Sequence, residues 1–142
     1  LSDIEKATFL MDKSVEIYKA DDTFLPQAMD AALNAYSLGV DYAPSVIFKL
    51  VLVNPPTNPK LKEVLDNSRN PFIVAAKGLA ITHGLAGFTQ DKSKGQEIIQ
   101  AEAALNRQPS IDYVNFLNCS KKYEKPEEIE SKCFSLSKFM ML

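Results

Sequence analysis

Residues 78–95 read Gly78-Leu-Ala-Ile-Thr-His-Gly84-Leu-Ala-Gly87-Phe88-Thr-Gln-Asp91-Lys-Ser-Lys94-Gly95. An apolar segment runs into two glycines, a short polar turn and a second segment headed by an acid. Upstream, Asn70-Pro71 opens a helix that is predicted to reach about Thr82, because proline is tolerated in a first turn. Gly84-Leu85-Ala86-Gly87 breaks that helix. Glycine lets the chain take positive φ between two closely packed helices. Asp91 then caps a helix to about Asn106, with Ile98, Ile99, Ala101, Ala103, Ala104 and Leu105 as its apolar content. The unit is a helical hairpin.

The same grammar extends both ways. Ser2-Asp3-Ile4-Glu5 has the form of a capping box, and Ile4, Ala7, Leu10, Met11, Ser14, Val15 and Tyr18 follow at helical spacing, predicting one core-facing stripe that stops at Asp21-Asp22-Thr23. A second helix is expected from about Pro26 to Leu38, ended by Gly39, and a third from Ala43-Pro44 through Val51. Asn54-Pro55-Pro56-Thr57-Asn58-Pro59 cannot be regular structure, since its prolines remove donors and force extended neighbours. Lys60–Ser68 and Ser110–Leu117 read as short helices, and Pro126-Glu127-Glu128 starts a last one with acids at its positive end. Strand-like alternation is absent at useful length. The expectation is an all-α chain.

Short helices joined by short turns invite a search for a period. Three second-helix openings, Gln27-Ala28-Met29, Lys60-Leu61-Lys62 and Lys94-Gly95-Gln96, stand 33 and 34 residues apart. A second series opens with proline: Pro44-Ser45-Val46, Pro71-Phe72-Ile73 and Pro109-Ser110-Ile111. A period in the low thirties with two helices per unit predicts a short right-handed α-solenoid of stacked helix-turn-helix repeats. The whole of 1–142 is then one helical-repeat domain, with approximate repeats 14–53, 54–83 and 84–118 and a C-terminal capping helix over 119–142.

Gly78 through Gly95, followed by Ala103 and Ser110, resembles the Sel-one-like repeat, a relative of the tetratricopeptide repeats. An earlier copy shows in Tyr18, Gln27-Ala28, Ala35, Gly39 and Ala43, and the resemblance spans roughly residues 14–118. The chain departs from that pattern at Ile81, which replaces an aromatic, at the wider glycine spacing, at Gly95 in an alanine place, and in a shortened middle copy around Lys60. The resemblance implies adaptor work: scaffolding, secretion, envelope assembly or immunity to a secreted toxin.

Composition sets the outer limits. The chain has 142 residues, 46% hydrophobic and 24% charged, with 16 basic against 18 acidic side chains. That size suits one domain burying about two-thirds of its unfolded surface. A net charge of −2 supplies no basic stripe for nucleic acid. The longest apolar run, Leu50-Val51-Leu52-Val53, is far short of the ~20 residues of a membrane span. The chain opens at Leu1 without a methionine or a cationic apolar leader, as a removed signal peptide or a trimmed chain would leave it. Cys119 and Cys133 frame a short inter-helix connection. They are expected to pair in an oxidising compartment, closing a loop worth roughly 3 kcal/mol; two buried free thiols are the alternative. The expected location is therefore periplasmic or secreted, or cytoplasmic if the thiols are free. Asn118-Cys119-Ser120 matches a glycosylation acceptor only as a common tripeptide.

Residues suited to catalysis are sparse. His83 is the single histidine and stands at a helix end. The cysteines lack zinc-ligand spacing, and neither a nucleophile elbow nor a phosphate loop occurs. Asp21-Asp22 and Glu127-Glu128-Glu130 read as helix-terminal charges. No enzyme activity, metal or cofactor is expected; a hydrolase would need His83, Cys119 or a carboxylate pair to meet in a cleft.

Surface recognition remains. Aligning the proline series places Val46, Ile73, Ile111 and Leu52, Leu79, Leu117 in apolar columns assigned to the core. Ile47, Val74, Asp112 and Leu50, Lys77, Asn115 change chemistry from copy to copy at a spacing that shares a helix face. These six are the expected partner-binding residues. The expectation is a non-enzymatic protein-protein interaction module of the bacterial cell envelope, binding another protein or a peptide. Its rival is a carrier of a small apolar ligand held between helices under the C-terminal segment, lined by Tyr123, Phe134 and Phe139.

Overall fold

The computed structural model describes residues 1–142 and is all-helical. Eight α-helices follow in order: α1 Asp3–Ala20, α2 Leu25–Ser37, α3 Ala43–Val51, α4 Pro59–Asn67, α5 Pro71–His83, α6 Lys92–Ala104, α7 Ser110–Ser120 and α8 Pro126–Cys133. Two 3-10 segments, Asp22–Phe24 and Phe134–Met140, complete the chain. None of the helices is long and apolar enough to cross a membrane.

Each boundary has a local cause. At α1 the Ser2 hydroxyl accepts from the Glu5 amide and the Glu5 carboxylate accepts from the Ser2 amide, both at 3.1 Å, which satisfies two of the helix's orphan donors. Asn58, Asn70 and Asp91 cap α4, α5 and α6 through their side-chain oxygens, and proline occupies the first turn of α2, α3, α4, α5 and α8. Gly84 ends α5 in the left-handed conformation at φ +68°, where a Cβ would be strained.

Spatial neighbours follow chain order. α1 packs on α2, α2 on α3, α3 on α5, α5 on α6, and α6 on α7; α4 leans on α5, and α8 with the last 3-10 segment covers α7. A single core of buried side chains runs through this stack from Ala7 and Met11 to Ile99 and Phe139. α5 lies at its centre and buries Ile73, Ala75, Ala76, Gly78, Leu79, Ala80, Ile81 and Thr82.

At the α5/α6 crossing the two backbones come into direct contact. A Cβ added to Gly95 would overlap the Thr82 hydroxyl and lie 2.5 Å from the Thr82 amide nitrogen and 2.6 Å from the Gly78 carbonyl oxygen. One added to Gly78 would come within 2.7 Å of Ile99. Neither glycine has positive φ; they are required because two backbones touch. The Thr82 hydroxyl donates to the Gly78 carbonyl at 2.7 Å, which satisfies it inside the contact.

The stripe expected on α1 is corrected in part. Ala7, Met11 and Ser14 are buried, while Ile4 and Leu10 are half exposed, at 50% and 53%. α1 packs on one neighbouring helix, so only a narrow arc of it is covered. The expected repeat boundary at residue 14 falls inside α1.

Candidate interaction surfaces

The six expected partner-binding residues do not form one face. Ile47 and Leu50 are fully buried; this corrects their assignment to a recognition surface. α3 lies between α2 and α5, so the arc carrying them is covered on both sides. The apolar columns divide in the same way, with Ile73 and Leu79 buried and Val46, Leu52, Ile111 and Leu117 only half-buried. The cause is tertiary: α3 packs between α2 and α5, α5 among α3, α4, α6 and α7, and α7 between α6 and the C-terminal segment, so an equal count from a proline does not meet an equivalent neighbour.

The remaining four separate. Val74 is half-buried on α5. Asp112 and Asn115 line an open cleft of about 510 Å3 with Asn106, Gln108 and Ile111 at the start of α7. Lys77 projects into a different cleft, of about 460 Å3, between α4, α5 and the turn leading into α6.

That second cleft is built by the glycine turn. The Leu85 amide donates to the Ala80 carbonyl and the Asp91 amide to the Ile81 carbonyl, each at 2.8 Å, and the Gln90 side-chain amide donates to the Thr82 carbonyl at 3.3 Å. The turn is thereby folded back against the end of α5. Lys62 from α4 lies over the Phe88 ring, its ammonium 5.2 Å from the centroid, an attractive placement for a cation on a ring face. Lys77 pairs with Asp66 at 3.4 Å. Lys94 extends from the first turn of α6, where the Asp91 carboxylate accepts from its backbone amide at 3.1 Å. Lys62, Phe88 and Lys94 carry no binding signal in the sequence: Phe88 and Lys94 stand within the repeat motif, and Lys62 in the shortened repeat copy.

A third surface is apolar. Leu10 and Ile17 on α1 are 53% and 44% exposed. Leu10 lines, with Phe24 and Ala31, a groove of about 390 Å3 between α1 and α2 that is edged by Gln27, Asp30 and Asn34. Phe9 adds a further exposed ring on α1.

Between α1 and α3 the contacts are polar. The Tyr42 hydroxyl lies 2.7 and 2.8 Å from the two carboxylate oxygens of Asp12. Partial burial, with this carboxylate and the charge of Asp41, pushes the Tyr42 phenol up to about 12. Burial, reinforced by the nearby Lys19 charge, lowers Lys49. The Lys19 ammonium donates to the Leu142 carbonyl at 3.2 Å, bringing the C-terminal segment back to α1.

Under that segment, Phe139 is buried and meets Tyr113 and Phe116 edge-on at centroid distances of 5.5 and 5.9 Å, and Phe134 points outward. Aromatic packing therefore fills the place where a carrier would need its cavity. Cys119, at the end of α7, and Cys133, at the end of α8, stand at disulfide-bonding distance with Cα atoms 5.8 Å apart. His83 is exposed at the end of α5, far in the chain from either cysteine. No three His, Cys, Asp or Glu side chains converge as a metal-binding group. At the α6–α7 junction the buried Glu102 accepts from Arg107 at 3.2 Å through one oxygen; its other oxygen and the buried Ser110 hydroxyl have no protein partner. Compared with known proteins, the chain matches no family model, no curated protein and no solved structure.

Proposed function

We propose that this chain is a non-enzymatic protein-protein interaction module, an adaptor, assembly factor or toxin-immunity protein of the bacterial cell envelope, built as a short solenoid of helical hairpins. The order of packing supports the repeat reading. Each even helix α2, α4 and α6 packs on the odd helix that follows it, and α3, α5 and α7 touch in succession, as stacked hairpins do. The resemblance of residues 78–95 to the Sel-one-like repeat agrees with that arrangement. The Cys119–Cys133 pair supports an oxidising compartment, since such pairs persist outside the reducing cytosol.

The observation that carries the binding role is the exposed apolar flank of α1 and its groove against α2. Leu10 and Phe24 line a preformed groove with a polar rim, and exposed Ile17, seven residues on, shares Leu10's side of α1. Contiguous apolar surface edged by polar side chains marks interaction sites on soluble domains.

Affinity capture from the native host, with the wild-type chain and a Leu10→Glu/Ile17→Glu variant, tests this reading. Both side chains are about half exposed, at 53% and 44%, so the variant is expected to fold with only a modest loss of melting temperature, checked by circular dichroism before capture. A stoichiometric partner held by the wild type and released by the variant is the expected result. Equal capture by both forms, or no stoichiometric partner at all, refutes it.

A further inference from the structure

Beyond the apolar flank, and resting on the reading of this chain as a partner-binding module, the α4/α5/α6 cleft has its own chemistry. We propose that it is a second recognition site, which takes an acidic peptide segment of the partner, carboxylates paired with lysines around one apolar residue.

Three lysines from three helices, Lys62, Lys77 and Lys94, border the cleft together with two aspartates. The aspartates are already engaged. Asp66 holds Lys77, and Asp91 caps α6. Lys62 and Lys94 have no carboxylate partner anywhere in the chain; the ion pairs are Lys13–Glu16, Lys77–Asp66 and Arg107–Glu102. The cleft thus carries one excess positive charge, three lysines against two aspartates, in a molecule whose net charge is −2, and leaves Lys62 and Lys94 free of ion pairs. Opposite charges on a partner would steer it to this place and fix its register.

The walls refine the class of ligand. Half-buried Phe88 gives the cleft one apolar wall above the buried Ile81, and Lys62 lies over the Phe88 ring. Thr89 and Gln90 supply hydroxyl and amide groups at the rim. The first-turn amides of Lys92 and Ser93 make no backbone or side-chain bond within the chain, and their direction favours a negative group. An extended segment with glutamates or aspartates flanking an apolar side chain satisfies all of these at once. The walls do not depend on partner binding for their shape, because the turn is fastened to α5 by the bonds at Leu85, Gln90 and Asp91.

The test uses the full chain and a blocked glutamate-rich peptide with a central phenylalanine, beside its glutamine-rich counterpart. Backbone amide NMR follows the titration. Saturable shifts at Gly87, Thr89, Gln90, Lys92 and Ser93 with the acidic peptide alone, weakening as salt is raised, are expected. A Lys62→Gln/Lys94→Gln variant should bind the peptide roughly tenfold more weakly or worse, since each lysine supplies a charge-assisted contact. Lys125→Gln/Lys132→Gln, which removes as much charge from α8, should leave affinity unchanged. Absence of saturable binding, shifts elsewhere on the surface, equal binding of the glutamine peptide, or equal weakening by both lysine pairs overturns the proposal. Leu10→Glu/Ile17→Glu should bind the acidic peptide as the wild type does, so failure of the cleft and failure of the apolar flank are read separately.

Discussion

Gly95 and Gly78 look alike in sequence and differ in what surrounds them. A methyl group on Gly95 meets backbone of α5, which cannot move aside without parting the two helices. Gly95→Ala is expected to destabilise the chain by about 3 kcal/mol or more, the upper end of overpacking costs. At Gly78 the first contact is the Ile99 side chain at 2.7 Å, with the Gly95 carbonyl oxygen behind it at 3.2 Å; a side chain can shift where backbone cannot, and the gain in helix propensity, roughly 1 kcal/mol, offsets part of the clash. Gly78→Ala should therefore cost clearly less, and urea denaturation of the two variants side by side measures the difference. Tyr42 makes a second prediction. Its folded-state phenol is raised to about 12 from the ordinary value near 10, so the neutral form is the one the fold favours. The Tyr42–Asp12 contribution to stability is fully present below about pH 10 and is lost as pH rises through about 12. The stability difference between wild type and Tyr42→Phe should accordingly shrink between pH 10 and 12. A difference constant with pH across that window would show that the hydroxyl is not held by Asp12.

At the scale of elements, the Cys119–Cys133 pair joins the ends of α7 and α8 just before the segment that carries Phe139. Closing so short a loop is worth about 3 kcal/mol. The Cys119→Ser/Cys133→Ser protein should be less stable than the oxidised wild type by that order and equal to the wild type under reducing conditions; thermal melts with and without reductant compare them. The eight helices were legible in the sequence because their ends carry chemistry: the Ser2/Glu5 box, the capping side chains of Asn70 and Asp91, and prolines in first turns each act within a few residues. What lay beyond the sequence was which way each helix faces. Ile47 and Leu50 share a spacing with Lys77 and Asn115, yet α3 turns that arc into its contacts with α2 and α5, while on α7, packed between α6 and the C-terminal segment, Asn115 stays exposed. Lys62 and Lys94 lie 32 positions apart and meet only because the glycine turn folds back onto α5, a tertiary arrangement with no local signature. The two 3-10 segments leave no signal in the sequence, since three- and seven-residue stretches of that kind carry no apolar period.

For the molecule as a whole, the packing order places α5 in the middle and α1 at the edge. α5 touches α3, α4, α6 and α7, whereas α1 packs chiefly on α2 and the turn that joins them. Two polar ties supplement that contact, Tyr42 to Asp12 and Lys19 to Leu142. The proposed apolar docking flank is therefore carried by a helix at the edge of the stack, and the proposed acidic-peptide cleft lies against the central one. Such unevenness has a signature in time. Backbone amides of α1 should exchange with solvent deuterium through local opening, while those of α5 should exchange only when the whole chain unfolds. Exchange mass spectrometry of the free protein would register this as early labelling of residues 3–20 and late labelling of residues 71–83. A partner seated on Leu10 and Ile17 would slow the labelling of α1 and leave the rate at α5 nearly untouched, so that occupancy could be followed as a change in the clock of one helix.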